Sequence, residues 1–252
     1  MTVEWIDLEG ANNVRDLGGL RAGSGRTRSG VLLRSDALHE LTPADVRHLV
    51  DERGLAHVVD LRSAHERHER GRGPLGATPV RYTEVEVIGP DDLARRAQAR
   101  AAAFAAGLPA EQVLGDGYVE LLDLGGDAFT EAFRRIVEPG GTPALVHCAI
   151  GKDRTGVLVA LLLDVAGVDR DEIVADYART GERMAPVIAR WVDDSGSSIN
   201  EQVAAFSALA APATMAQLLE VLHERWGGAA GFFAAHGVPA ADLDRWRELL
   251  LA

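Results

Sequence analysis

The chain has one cysteine, Cys148, in the stretch Val146-His-Cys-Ala-Ile-Gly-Lys-Asp-Arg-Thr-Gly156. A lone cysteine makes neither an intramolecular disulfide nor a four-cysteine metal site. Its default reading is a small buried hydrophobe. The residues around it argue for more. Arg154 carries a planar fork that grips two oxygens of a phosphate at once, which lysine cannot do. Gly151 lets the intervening backbone turn sharply. Thr155 brings a hydroxyl that can hydrogen-bond a sulfur and ease its departure. Together these residue types suit attack of a thiolate on phosphorus, followed by hydrolysis of the phosphocysteine by water.

That chemistry needs elements that hold the groups in place. TPALVH (142–147) reads as a buried strand, and VLVALLLDVAG (157–167) as an apolar helix stopped by Gly167. Between them Cys148–Arg154 is a tight loop. A strand–loop–helix of this kind turns backbone N–H groups inward and aims a helix N-terminus at the loop's contents, which makes an anion cradle. The expected phosphate-binding positions are Ala149, Ile150, Gly151, Lys152, Asp153, Arg154 and Thr155, with Cys148 at the base, where positive potential favours its thiolate. A Walker A loop fits poorly, because Val146 stands at its first glycine and Asp153 where Ser or Thr should follow Lys.

A leaving alkoxide or phenolate needs a proton, so a carboxylic acid should stand nearby. Two candidates remain open. Asp91, in Gly89-Pro-Asp-Asp92, follows an expected strand and precedes a helix; its plain alternative is helix capping. Asp153 lies in the cradle; its plain alternative is to orient Arg154 or substrate. Lys152 either meets a second phosphate or is a solvated rim residue. Arg15 and Asp16 are expected to brace loops, and Asp60 and Arg62 to pair behind the site. His57 and His65 have no ligand spacing, so no metal and no cofactor is expected.

The remaining elements alternate early and turn helical late. VLLR (31–34), AHVVDLR (56–62) and TPVRYTEVEVI (78–88) read as strands, and LTPADVRHLVDERG (41–54) as a helix with Thr42 at its N-cap, Pro43 at its first position and Gly54 at its stop. Residues 12–30 read as loops and SAHERHERGRG (63–73) as polar and mostly exposed. Asp92 is expected to cap a helix running to about Ala106, ended by Gly107 and Pro109. Its thin stripe of Leu93, Ala97, Ala101 and Phe104 marks it as peripheral. Further helices are expected over 127–137, 169–180, 184–193, 200–206, 212–226 and 240–251. This pattern predicts an α/β fold, a mostly parallel central sheet flanked by helices, with a helical C-terminal portion.

The His147-Cys148…Arg154-Thr155-Gly156 frame resembles the protein tyrosine phosphatase superfamily. Asn13-Val-Arg-Asp-Leu-Gly-Gly19, Leu33-Arg-Ser-Asp36, Asp60-Leu-Arg62 and the tail segments Glu224-Arg-Trp-Gly-Gly and Phe232-Phe-Ala-Ala-His-Gly-Val238 are similar to its mycobacterial-type bacterial branch, the tyrosine/serine phosphatases. The likeness runs along nearly the whole chain, and only the loop is highly specific. It implies a single phosphatase domain over 1–252, with a lid-like helical insertion at about 91–115 covering the site. It also implies metal-free hydrolysis of phosphotyrosine, and in many members of phosphoserine, phosphothreonine or phosphoinositides. A catalytically dead phospho-binding module would usually lack Cys148 or Arg154. The frame disfavours a sulfurtransferase, and the missing second cysteine an arsenate reductase.

Composition bounds the partners. The 252 residues carry 26 Lys and Arg against 38 Asp and Glu, a net charge of −12. Such a surface repels nucleic acid, so a phosphorylated protein or phosphoinositide must bind in a local positive pocket. No apolar run approaches the roughly 20 residues of a membrane span, and MTVEWIDLEG lacks the pattern of a signal peptide. A cytoplasmic enzyme is expected, with export by another route left open.

Overall fold

The structure, a computed structural model, describes residues 4–195 and 209–252. The helix expected at 200–206 lies outside them. The centre is a six-stranded sheet in the order β1 (Glu4–Trp5), β2 (Arg15–Asp16), β5 (Leu32–Ser35), β8 (Ala144–His147), β6 (His57–Asp60) and β7 (Arg81–Glu84); β3 (Arg21–Ala22) and β4 (Gly25–Arg26) form a separate ribbon. β5, β8, β6 and β7 run parallel, and β1 and β2 add an antiparallel edge.

Every residue of β5, β8 and β6 is buried, as strands covered on both faces must be. Alternation sorts their side chains. Leu33, Leu145 and Val58 lie in register across three strands and join the apolar cluster with Val14, Leu38 and Leu49. Leu32, Ala144, Val146 and Val59 join the larger cluster on the opposite face. The last row, Ser35–His147–Asp60–Glu84, ends the four parallel strands together. Sites in parallel α/β sheets form beyond such carboxyl ends, and the Cys148 loop leaves from this row.

α1 (Pro43–Arg47) begins as expected, with Thr42 and Asp45 in a reciprocal capping box, and widens into a π-type turn to Glu52. Several elements differ from expectation. Residues 64–70 form α2 (Ala64–Arg70), capped by Ser63, where an exposed polar stretch was expected. β7 stops at Glu84, and Val85, Val87 and Ile88 are buried beyond it. α3 (Pro90–Ala105) is capped by Gly89 with Pro90 at its first position, so Asp91 and Asp92 lie inside the first turn and Asp92 is not the cap.

α4 (Ala110–Val137) is one long helix where only 127–137 was expected. Its glycines hide the pattern. They serve close packing: a Cβ on Gly125 would come within 2.7 Å of Val87 Cγ1. α5 (Asp153–Val165) starts four residues earlier than expected, which moves Asp153 and Arg154 into a helical first turn. α6 (Arg170–Arg179), α7 (Met184–Ser195), α8 (Pro212–Trp226) and α10 (Ala240–Leu250) fall close to expected places, and α9 (Ala229–Ala235) was not anticipated. Among the described residues no helix is long and apolar enough to cross a membrane.

Candidate active site

The Cys148–Lys152 loop is held from behind by its carbonyls. Ala149 C=O accepts from Ala37 N–H at 3.1 Å. Asn13 Nδ2 donates to the carbonyls of Ile150 at 3.4 Å and Gly151 at 3.2 Å. Arg34 Nη2 donates to Gly151 C=O at 2.9 Å. Turning these carbonyls to the rear turns the peptide N–H groups the other way, which is how an anion cradle is built. Gly151 has φ +69°, and a Cβ there would lie 2.4 Å from Ser35 C=O, so only glycine fits.

The rear donors are themselves locked. Arg15 Nε and Arg34 Nη1 both donate to the Asp176 carboxylate, at 2.7 and 2.6 Å, with all three side chains buried. Arg15 Nη1 donates to Asn13 Oδ1 at 2.6 Å, fixing the amide that grips the loop. Burial would raise the Asp176 carboxyl, and the two guanidiniums more than reverse it, holding it below the usual range. Asp16 braces its own turns by accepting from Gly18 and Gly30 N–H.

Cys148 is buried at the base of the loop, with a free thiol. His147, just before it, is buried with Nδ1 3.1 Å from Cys148 C=O and Nε2 3.2 Å from Tyr82 Oη. Burial holds the His147 imidazole below its ordinary value. Arg62 pairs with Asp60 at 2.7 Å, as expected, and Asp60 Oδ2 lies 3.7 Å from His147 Nε2.

Arg154 is gripped from a side that sequence reasoning missed. Its Nη1 and Nη2 donate to the two carboxylate oxygens of Glu66 at 2.6 and 2.8 Å. Glu66 also accepts from Ser63 N–H at 2.7 Å and returns its own N–H to Ser63 Oγ. A helix cap and a cation clamp share one carboxylate. Burial pushes the Glu66 carboxyl up, while hydrogen bonds and charge from Arg154 bring it down to about 2. Ser63-x-x-Glu66 is a capping-box pattern, and that was the available signal.

Thr155 Oγ1 is buried and has no hydrogen-bond partner among the described residues. Lys152 is buried rather than solvated; its Nζ donates to Leu209 C=O at 3.1 Å and lies 3.7 Å from Asp153 Oδ1. Asp153, half-buried, accepts from Tyr118 Oη at 2.9 Å. Burial would raise its carboxyl, and Lys152, Arg100 and Tyr118 together hold it below the usual range. Asp91 is exposed in the first turn of α3.

α3 crosses the rim. Arg96 Nη1 donates to Glu120 at 2.6 Å and Nη2 to Gly117 C=O at 2.8 Å, tying α3 to α4. The inward face carries Leu93, Arg96, Arg100 and Ala103, whereas Ala97 and Ala101 of the expected stripe are exposed and Phe104 is 37% exposed. Between α3 and α4 lies a cavity of about 320 Å³, bordered by Ala99, Arg100, Ala103, Leu108 and Val113. His57 is structural, set between Gly141 C=O and Thr83 Oγ1. Among the described residues no cluster of three or more His, Cys, Asp and Glu side chains is arranged to hold a metal.

The triple specificity protein phosphatase PtpB of Mycobacterium tuberculosis is 28% identical, over 97% of this chain and 98% of that protein. A tyrosine-protein phosphatase of Nostoc commune is 30% identical over 54% of this chain, a match that spans about half, 49%, of that protein. Residues 6–252, which include the Cys148 loop, its rear wall and the Glu66 clamp, match the tyrosine phosphatase family, and the chain belongs to it.

Proposed function

We propose that Cys148 is the nucleophile of a metal-free phosphatase acting on phosphotyrosine, and on further phosphomonoesters of proteins or phosphoinositides. The thiolate attacks phosphorus. An S–P bond forms, the ester O–P bond breaks, and a carboxylic acid gives the leaving oxygen its proton. Water then attacks phosphorus, the S–P bond breaks, and inorganic phosphate leaves. Arg154 holds two equatorial oxygens throughout, and the loop N–H groups from Ala149 to Asp153 take the rest of the developing charge. Thr155, with its unpartnered buried hydroxyl, donates to the departing sulfur.

Of the two acids, Asp153 is the better placed. It stands at the loop's end beside Lys152, while Asp91 is exposed on α3. Asp153 starts ionised, and a phosphate dianion bound beside it raises its proton affinity. In this reading the part of the substrate beyond phosphate lies toward the cavity between α3 and α4, which is bordered by Arg100, whose charge also acts on Asp153. One phosphatase domain spans 1–252 in this reading, with α3 and the start of α4 as its cover. A working thiolate suits a reducing compartment, which supports the cytoplasm.

The carrying observation is the loop itself, with three carbonyls bonded rearward and Arg154 clamped by Glu66. Phosphotyrosine, phosphoserine and phosphothreonine peptides and phosphoinositide vesicles form the test, with wild type and Cys148→Ser. Wild type should release phosphate from phosphotyrosine peptide and Cys148→Ser from none. Failure of wild type on every substrate sinks the reading.

A further inference from the structure

Asp153 does not face the loop alone. Tyr118 of α4 and Tyr177 of α6 are both buried, with their hydroxyl oxygens 2.8 Å apart and rings edge-to-face at 5.7 Å. Tyr118 Oη is also 2.9 Å from Asp153 Oδ1. Tyr177 is set against the loop's own helix: a Cβ on Gly156 would lie 3.3 Å from its ring. The glycine after Arg154-Thr155 therefore seats Tyr177, Tyr177 meets Tyr118, and Tyr118 meets Asp153.

We propose that Tyr118, backed by Tyr177, is a positioning residue that joins the Asp153 carboxyl to a two-hydroxyl relay able to serve both of its protonation states. This rests on the reading of Asp153 as the proton carrier. A phenol has one hydrogen and can also accept. With Asp153 ionised, Tyr118 donates to Oδ1 and Tyr177 donates to Tyr118. With Asp153 protonated, the carboxyl donates to Tyr118 and Tyr118 turns its hydrogen to Tyr177. Only hydroxyl rotation separates the two states, and no heavy atom moves. A group that gives up and regains a proton in each turnover is held in place in both states by such a neighbour.

The two states are not equal. In the second, Tyr177 must give its hydrogen elsewhere, and among the described residues no other acceptor contacts its hydroxyl. A buried donor left unpaired is costly, so the relay favours the ionised carboxylate. Other groups act on Asp153 as well: Lys152 and Arg154 from its own segment and Arg96 and Arg100 from α3 all favour the anion. Tyr118 is the neutral member and the one whose removal leaves the local charge unchanged. Burial holds the Tyr118 phenol well above its ordinary value, so it stays a donor across the working range.

Tyr118→Phe keeps the ring and deletes the hydroxyl. The carboxyl carbon of Asp153, labelled with ¹³C and assigned with Asp153→Asn, reports its titration directly by NMR. Loss of a hydrogen bond to a charged acceptor should raise the midpoint by about one pH unit. Tyr177→Phe should raise it less, because it only weakens the donor. An unchanged midpoint in folded Tyr118→Phe overturns the relay, and so does a larger shift in Tyr177→Phe than in Tyr118→Phe. The pH profile of kcat/KM separates this proposal from the one beneath it. If Asp153 carries the proton, the limb that Asp153→Asn abolishes moves upward with the NMR midpoint. A shifted NMR midpoint with an unmoved limb keeps the relay and removes Asp153 from catalysis.

Discussion

Behind the Cys148 loop, Arg15 and Arg34 converge on Asp176 with none of the three reaching solvent. Where α3 packs on α4, Arg95 and Arg96 converge on Glu120, whose side chain is 36% exposed; the proposed reading sets this contact in front of the loop. Both arrangements put two guanidiniums on one carboxylate, and burial makes them different devices. The rear group has no water to fall back on. Its spare donors go to fixed acceptors, Asn13 Oδ1, Asp176 C=O, Thr180 Oγ1 and Gly151 C=O, and Arg34 Nε finds no partner among the described residues. In the front group Arg96 is buried, but Arg95 and Glu120 reach water, so its attraction is weaker and more screened. In the proposed reading one wall is a fixed template for an anion, and the other a cover that can part.

The largest effect should come from breaking the rear wall. Asp176→Ala leaves Arg15 and Arg34 facing each other without their anion. Loss of one partner of a buried ion pair costs about 3–5 kcal/mol. Urea unfolding should show an unfolding free energy lowered by that amount, with loss of activity in the fraction that still folds. A cost under about 1 kcal/mol would mean the rear wall is no tighter than the front, and the comparison would fall.

Next comes the side clamp. Glu66→Gln keeps the shape of the Ser63 cap but loses the charge that aligns Arg154. Misplacing a transition-state contact slightly costs up to about 100-fold, so kcat/KM should fall by roughly 10- to 100-fold while the fold survives. An unchanged kcat/KM would show that Arg154 orients without Glu66.

The same pair sets an acid limit. The folded Glu66 value of about 2 lies below its ordinary 4.5. Its contribution is therefore complete above about 4.5 and is lost as pH falls toward 2. Wild type should lose stability across that window more steeply than Glu66→Gln. Parallel stability curves would place the acid sensitivity elsewhere.

These two walls were not equally readable. The loop announced itself because one short segment carries its chemistry, His147 through Gly156, between an apolar strand and an apolar helix. The parallel sheet was readable for a similar reason, since Leu32–Ser35, His57–Asp60 and Ala144–His147 are short runs bounded by turn residues. Asp176 and Glu66 could not be found that way. Asp176 lies 142 residues from Arg34, and Glu66 lies 88 from Arg154. Glu66 sits among so many charged neighbours that its segment reads as solvated. Its capping box marks a helix start but not an arginine. α4 was lost because glycines that serve packing also erase helix propensity. α3 was readable as peripheral, but its inward face was not, because a helix that turns arginines inward has no apolar stripe to follow.

The smallest effect should come from the front wall, and it tests whether that wall parts at all. Glu120→Gln removes the carboxylate that Arg95 and Arg96 share while keeping its shape. Partly exposed pairs are worth about 1 kcal/mol or less, so global unfolding should hardly change. A local opening eased by about 1 kcal/mol is still populated about fivefold more. If α3 covers the thiol, peroxide should inactivate Cys148 up to about fivefold faster in Glu120→Gln, since oxidation follows exposure of the thiolate. Amides of α3 should exchange faster by a similar factor while those of α5 do not. Faster exchange in α3 with unchanged inactivation would show a helix that moves without guarding the cysteine. An equal rise in α3 and α5 would show that the front carboxylate supports the whole fold, and the contrast between the two walls would then rest on Asp176 alone.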